Sequence, residues 1–486
     1  MPTSLFQYEM LPTTWFYVSA IVILAIFFKF NRLWSVRNFD LIGVLLLTPG
    51  LLLVAMREIS AGYAWLFCIQ GLLMVRLIFD AILVRRPLLE PNLSSEGLSF
   101  SCVFLLFFLI AGLLANRGER MDTVRTVRLE QILTSQHIHA KAGMNPNSLT
   151  IPRSEWDNLP PGFRPFLALT ERANLAFAPP SRIQQEIIQP IPVPAVTVPV
   201  VSVTAENAPI IKNESFRITD ETLPISAVST MESTVGESVS FHPELNIWLV
   251  VLVLIIGGHW SIVLAFAYIG YRHFGRFQTG IACAAFYLLH PYSNQMIGRL
   301  DHVVPAALLL WSVIAYRHPF LAGFGIGTAS ALVWYPLFLV PLWCGFYRQK
   351  GWIRFLCGAV SALLAFVVLL HFSLPEWGTF GEQLFHMAGK SAFLIFTQPD
   401  GFWTSDDMFF RSPVLALFLV VCFGLLLVPS HKHLATLISG SALLMLGVQF
   451  FQLHQGGLYV SWYLPLLILT IFRPNLEDRT ARSVVV

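Results

Sequence analysis

The residues best placed for chemistry are an aspartate and a histidine side by side, Asp301 and His302, where two apolar segments meet. A carboxylate there could act as a general base or a metal ligand, and an imidazole as a proton shuttle or a phosphate contact. Ionisable groups are costly at membrane depth, so such a pair is a functional candidate by default. The competing reading is a solvated interfacial pair neutralised by Arg299. A second group lies in QPDGFWTSDDMFFR, where Asp400, Asp406, Asp407 and Arg411 surround Phe402, Trp403 and Phe409. Acids beside aromatic rings could rim a platform for a sugar or lipid. Asp406 and Asp407 could also hold a divalent cation through oxygen ligands. An ordinary soluble loop is the alternative. His259, in the middle of an apolar run, reads as a packing histidine bonded to a neighbouring helix. His454-Gln455 and Trp462-Tyr463 read as an interfacial belt, with a role in a site as the alternative, and Arg76 and Asp80, one helical turn apart, as an ion pair.

These residues are carried by a chain built for a bilayer. It is 55% hydrophobic and 12% charged, with a mean hydropathy of +0.66, where a soluble domain is about a quarter charged. Apolar segments recur at 13–30, 39–56, 61–84, 98–115, 246–271, 278–297, 300–316, 319–333, 335–347, 352–372, 412–429, 433–451 and 456–472. Several approach the ~20 residues that cross ~30 Å of hydrocarbon. The pattern predicts an all-α polytopic membrane protein with about 13 transmembrane helices, or 12 if 319–347 is one helix. With the N-terminus outside, sixteen Lys and Arg fall in the inner loops and four in the short outer ones. That asymmetry favours an outside N-terminus and a cytoplasmic C-terminus. It also favours a break near 333–336, at Trp334-Tyr335-Pro336, because the basic loop Arg348/Lys350/Arg354 then falls inside.

The chain divides into an N-terminal membrane region at 1–115 and an extracytoplasmic segment at 116–245. A central membrane region at 246–372, an aromatic and acidic outer loop at 373–411 and a C-terminal membrane region at 412–486 follow. Segment 116–245 opens with an amphipathic stretch suited to the membrane surface. The proline-rich run QPIPVPAVTVPVVSV then predicts extended or flexible chain over 140–245, since proline removes ladder donors, with a small β-domain as the alternative. All six cysteines lie within or at the ends of apolar segments, which argues for small packing residues rather than disulfides or zinc ligands. The first twelve residues carry no Lys or Arg, so no cleavable signal peptide is predicted. The net charge of +3 does not suggest nucleic acid, because the basic residues sit mostly in short loops. No Walker loop, dinucleotide glycine set, HExxH or serine-hydrolase elbow occurs in a suitable context.

The stretch GRLDHVVPAALLLWSVIAYRHPFLAGFGIGTASALVWYPLFLVPLWCGFYRQKGWIR, residues 298–354, resembles the central region of the GT-C-type polytopic glycosyltransferases, closest to the glycosyltransferase 87 family. Gly298, Ala322-Gly323, Gly327, Pro336 and the basic loop from Arg348 to Arg354 match its pattern. Trp334 stands where that family usually has lysine. The resemblance implies a polyprenyl-phosphate-linked sugar that enters sideways from the bilayer and an external acid that deprotonates the acceptor. By this resemblance Asp301 or Asp122 would be the base, Arg299 and His302 would hold phosphate, and Trp403 and Tyr335 would form a sugar platform. Two other readings stay open. One is a non-enzymatic scaffold that binds an extracytoplasmic partner through 140–245; the other is a transporter.

Overall fold

The computed structural model describes residues 12–81, 90–114, 161–163, 243–296, 298–373, 381, 384, 402–403, 408–429, 432–452 and 456–485. Asp122, Asp400, Asp406, Asp407, His454 and Gln455 lie outside them, as do the amphipathic stretch and nearly all of 116–245 and 373–407. The chain splits into two compact units, Met1–Leu169 with Leu249–Val486, and Thr170–Trp248. The first holds almost all described residues. Among them no β-strand occurs beyond a single bridge from His433 to Thr480.

The helices in chain order are α1 (Pro12–Phe27), α2 (Val36–Leu45), α3 (Leu47–Ala55), α4 (Ile59–Ile78), α5 (Ser95–Leu114), α6 (Pro243–Tyr268), α7 (Phe277–Leu289), α8 (Pro291–Gln295) and α9 (Leu300–Ile314). They continue as α10 (Pro319–Leu332), α11 (Val340–Phe346), α12 (Trp352–Ser373), α13 (Met408–Leu427), α14 (Leu434–Gly447), α15 (Leu464–Phe472) and α16 (Ala481–Val484). Seven helical stretches among the described residues are long and apolar enough to cross a membrane. They are Val36–Ala55, which joins α2 to α3, then Ile59–Ile78, Ser95–Leu114, Leu249–His273, Leu300–Arg317, Trp352–Phe372 and Phe409–Leu427. Four shorter apolar helices accompany them.

Segment 319–347 is a hairpin. Helix α10 stops because Val333 turns extended, with φ −142° and ψ 109°. Pro336 cannot donate a backbone hydrogen bond, so α10 cannot run on through it, and it sits instead at the start of a new turn, where no such donor is needed. A 3-10 turn over Tyr335–Leu339 leads into α11. The chain then returns to its starting level, because the Tyr347 hydroxyl donates to the Tyr316 carbonyl at 2.6 Å. The outgoing leg is held by small residues. A Cβ added to Gly323 would lie 2.0 Å from the Phe355 carbonyl oxygen, and one on Gly358 would lie 2.0 Å from that of Phe320. Helices α10 and α12 therefore touch backbone to backbone, the contact that small residues permit where lipid supplies no hydrophobic drive. The sequence segment 456–472 is not one helix. A 3-10 turn at Val460–Trp462 precedes the short α15.

One end of the bundle is strapped by the C-terminal tail. The Arg479 carbonyl accepts from Leu434 N–H at 3.0 Å, and Lys350 Nζ donates to the Val485 carbonyl at 2.6 Å. The same end holds a buried ionic cluster. Arg76 reaches Asp40 through Nε at 2.5 Å and Asp80 at 3.1 Å, and Arg473 reaches Asp80 at 2.6 Å. The Arg76–Asp80 pair is the one its spacing predicts. Arg473, 393 positions from Asp80, completes it.

Candidate functional site

At the other end, α8, the start of α9, the break after α10 and the 3-10 turn before α15 converge. Helix α8 begins at Pro291, whose preset φ suits a first helical position, with the His290 side chain accepting from Tyr292 N–H at 3.3 Å. Helix α9 begins at Leu300, so Asp301 falls in its first turn, where the helix dipole favours a negative charge. Asp301 is 3% exposed and His302 1%. The solvated interfacial pair is thus corrected: the two side chains are packed inside.

Arg299 grips Asp301 with both arms of its guanidinium, Nε to Oδ1 at 3.1 Å and a terminal nitrogen to Oδ2 at 3.0 Å. The Arg299 side chain is itself 38% exposed, so the ion pair bridges the interior and the surface. Burial opposes its charge, but the hydrogen bonds and negative charge of Asp301 outweigh that and hold it more firmly protonated than usual. His302 Nδ1 shares a hydrogen bond with the Tyr292 hydroxyl. Its Nε2 is buried with no hydrogen-bond partner and lies 3.8 Å from Asp301 Oδ2, beyond hydrogen-bonding reach. Ser461 donates to the His302 carbonyl at 2.7 Å, and Trp462 Nε1 to the Asp301 carbonyl at 3.0 Å.

Aromatic rings roof this cluster. Tyr459 stacks on Trp462 with centroids 4.2 Å apart and lies 4.7 Å from His302. Tyr335 lies 5.1 Å from Trp462, and Trp334 4.4 Å from Tyr335. The break after α10 therefore presents its rings to Asp301 and His302 through Trp462. No family model, curated protein or solved structure matches this chain. The site is read from its own chemistry.

Of the residues singled out from sequence, Arg299, Asp301, His302, Trp334 and Tyr335 come together. Trp403 and Arg411 belong to an adjoining layer. Trp403 Nε1 donates to the Phe450 carbonyl at 2.9 Å and Arg411 Nε to that of Phe451 at 2.6 Å. Phe451 connects the layers, its ring 6.5 Å from that of Tyr335. Both side chains are buried, so Trp403 is a wall of the packed core and not an open platform. Trp462 and Tyr463 are likewise buried, which corrects their reading as an interfacial belt. Sequence reasoning missed Tyr292, Tyr459 and Ser461. Their signal is hydroxyl-bearing residues inside apolar runs, HPYSN and LYVSWY. His259 is the expected packing histidine, its Nδ1 3.1 Å from the Tyr287 hydroxyl. Among the described residues no three His, Cys, Asp or Glu gather to hold a metal ion; Asp406 and Asp407 are not among them.

Proposed function

We propose that this chain is a multi-pass membrane glycosyltransferase of the GT-C kind, taking a polyprenyl-phosphate-linked sugar at the extracytoplasmic face of a bacterial inner membrane. In this reading thirteen spans place the N-terminus outside and the strapped, basic end in the cytoplasm. The observation that carries it is the Arg299–Asp301–His302 cluster: a partly exposed guanidinium holding a buried carboxylate beside an imidazole, under an aromatic roof at the end opposite the basic loops. Arg299 now occupies both oxygens of Asp301. A lipid phosphate competes for that fork, since arginine binds phosphate and carboxylate in the same two-pronged way. Once Arg299 turns to the phosphate, Asp301 is free to take the proton of an acceptor hydroxyl. The acceptor oxygen then bonds to the anomeric carbon, the bond from that carbon to the phosphate oxygen breaks, and its electron pair leaves with the polyprenyl phosphate held by Arg299. His302 offers Nε2 as a further contact. Asp122 is the alternative base, and Asp406, Asp407 and Arg411 the outer rim, with a divalent cation at the two acids as an option.

A density map of the full chain in nanodiscs with native lipids retained tests this. A polyprenyl-phosphate-shaped density with its head within hydrogen-bonding distance of Arg299 or Asp301 is the expected result. A packed, lipid-free cluster there would favour the second reading, a non-enzymatic membrane scaffold that binds a partner through 140–245. The near-complete burial of Asp301 and His302 is the observation on that side.

A further inference from the structure

A second polar cluster lies at the tail-strapped end, where α6 meets α9. Helix α6 ends in a π-helical turn over Ile269–His273. Such one-residue expansions are rare, and they re-aim side chains. The turn is pressed against α7 at Gly270, where an added Cβ would lie 2.4 Å from the Gly280 backbone. His273 is thereby turned inward and is 3% exposed. Both of its ring nitrogens are buried without a hydrogen-bond partner. The Ile314 carbonyl comes near the ring but not in hydrogen-bonding geometry. An imidazole with two unused polar atoms is expensive to bury.

What faces it is the Tyr316 ring, with positive charge behind. The His273 ring meets the Tyr316 ring nearly edge-on, 78° apart with centroids separated by 5.0 Å. The Tyr316 hydroxyl accepts from Arg317 Nε at 3.3 Å and from an Arg479 terminal nitrogen at 3.5 Å. Two cations thus share one phenol oxygen. Among the described residues neither arginine makes an ion pair with an acid, nor does Arg272 beside them. Arg479 is brought there by the tail, through its backbone bond to Leu434. The charges of Arg479, Arg317 and Arg272 all bear on the imidazole. Two guanidinium forks, a phenol and a buried imidazole form a donor set that matches a tetrahedral oxyanion, and arginine prefers phosphate for its planar, two-pronged geometry. Basic pockets between membrane helices bind phosphate head groups on the same principle.

We infer that His273, Tyr316, Arg317 and Arg479 form a phosphate-binding site, independent of the Asp301 cluster, that ties the C-terminal tail to the ends of α6 and α9. The phosphate is either that of an anionic lipid or a free one. Two probes on the delipidated full chain in detergent separate these sources. Phosphatidylglycerol is added and its retention read by native mass spectrometry against phosphatidylcholine; inorganic phosphate is added and the shift in Tm recorded. A lipid site retains phosphatidylglycerol about tenfold better than phosphatidylcholine, a difference of ~1.4 kcal/mol. Arg317→Gln and Arg479→Gln each lose most of that preference. A free-phosphate site instead shows a rise in Tm that the same variants abolish. Arg348→Gln, on the same end but outside the cluster, leaves either signal unchanged. If Arg317→Gln does not fold, Arg479→Gln on the tail carries the test with Arg272→Gln beside it. Loss in Arg348→Gln as large as in Arg479→Gln would reduce the binding to general surface charge and overturn the proposal. So would the absence of any response to both probes.

Discussion

Two buried ionic clusters are joined by the length of α15. One, Asp40–Arg76–Asp80–Arg473, pairs two acids with two arginines, and each acid is gripped by at least one guanidinium. The other, Arg299–Asp301–His302, pairs one acid with one partly exposed arginine and leaves an imidazole nitrogen over. In both, the acids are buried among apolar helices. Their difference lies in whether the charges close on themselves. A closed cluster repays desolvation by mutual attraction and fixes how α2, α4 and the tail meet. Each holds one buried nitrogen without a partner, Arg473 Nε in the first and His302 Nε2 in the second, but only the open one carries a partly exposed fork, the feature a phosphate-bearing ligand would engage. The first therefore reads as architecture and the second as a site.

Breaking the closed cluster has the largest effect on folding. Asp80→Asn leaves Arg473 buried without its anion and weakens Arg76, so stability in detergent falls by roughly 3–5 kcal/mol. The double variant Asp80→Leu with Arg473→Leu removes both charges and recovers most of that loss. Thermal unfolding followed by circular dichroism reads both, and a double variant no better than the single one would deny that the charges close on each other. A smaller cost is expected at the open cluster. Arg299→Ala leaves Asp301 without its fork, but solvent reaches that arginine, so the loss is about 1–2 kcal/mol in the same measurement. A loss equal to that of Asp80→Asn would erase the distinction between the clusters. The smallest effect is at Tyr292→Phe, which removes the hydroxyl's hydrogen bond to His302 and its longer one to Ser461 at 3.4 Å, and costs about 1 kcal/mol. A change above about 3 kcal/mol would place Tyr292 in the architecture instead.

Much of the bundle was legible in the sequence because its signals are local. Basic loops on both sides of 319–347 required a chain reversal, and the Tyr347–Tyr316 hydrogen bond is that reversal. The spacing of Gly323 and Gly327 announced close packing, and their Cβ positions fall on the backbone of α12. Arg76 and Asp80 lie one turn apart and pair. The site was legible only in its nucleus. Trp462 and Ser461 reach Asp301 and His302 from about 160 positions away. Nothing in LYVSWY says whether those rings face lipid or core, since aromatic residues suit both. By its place in the sequence Arg473 is a charge just past the last apolar segment, and only the packing of α15 brings it to Asp80. Contacts between distant elements follow from how the bundle closes, and periodicity along one helix does not carry that.

The most direct measurement is turnover by the purified full chain in proteoliposomes holding a panel of polyprenyl-phosphate-linked sugars, with release of polyprenyl phosphate as the readout. The wild-type chain should release it from at least one donor. Asp301→Asn should retain the wild-type elution profile and lose turnover by about 10²–10⁴, the share a positioned general base contributes. Equal release by wild type and Asp301→Asn, or none from any donor by the wild-type chain, would contradict the assignment of the Arg299–Asp301–His302 cluster as a glycosyl-transfer site.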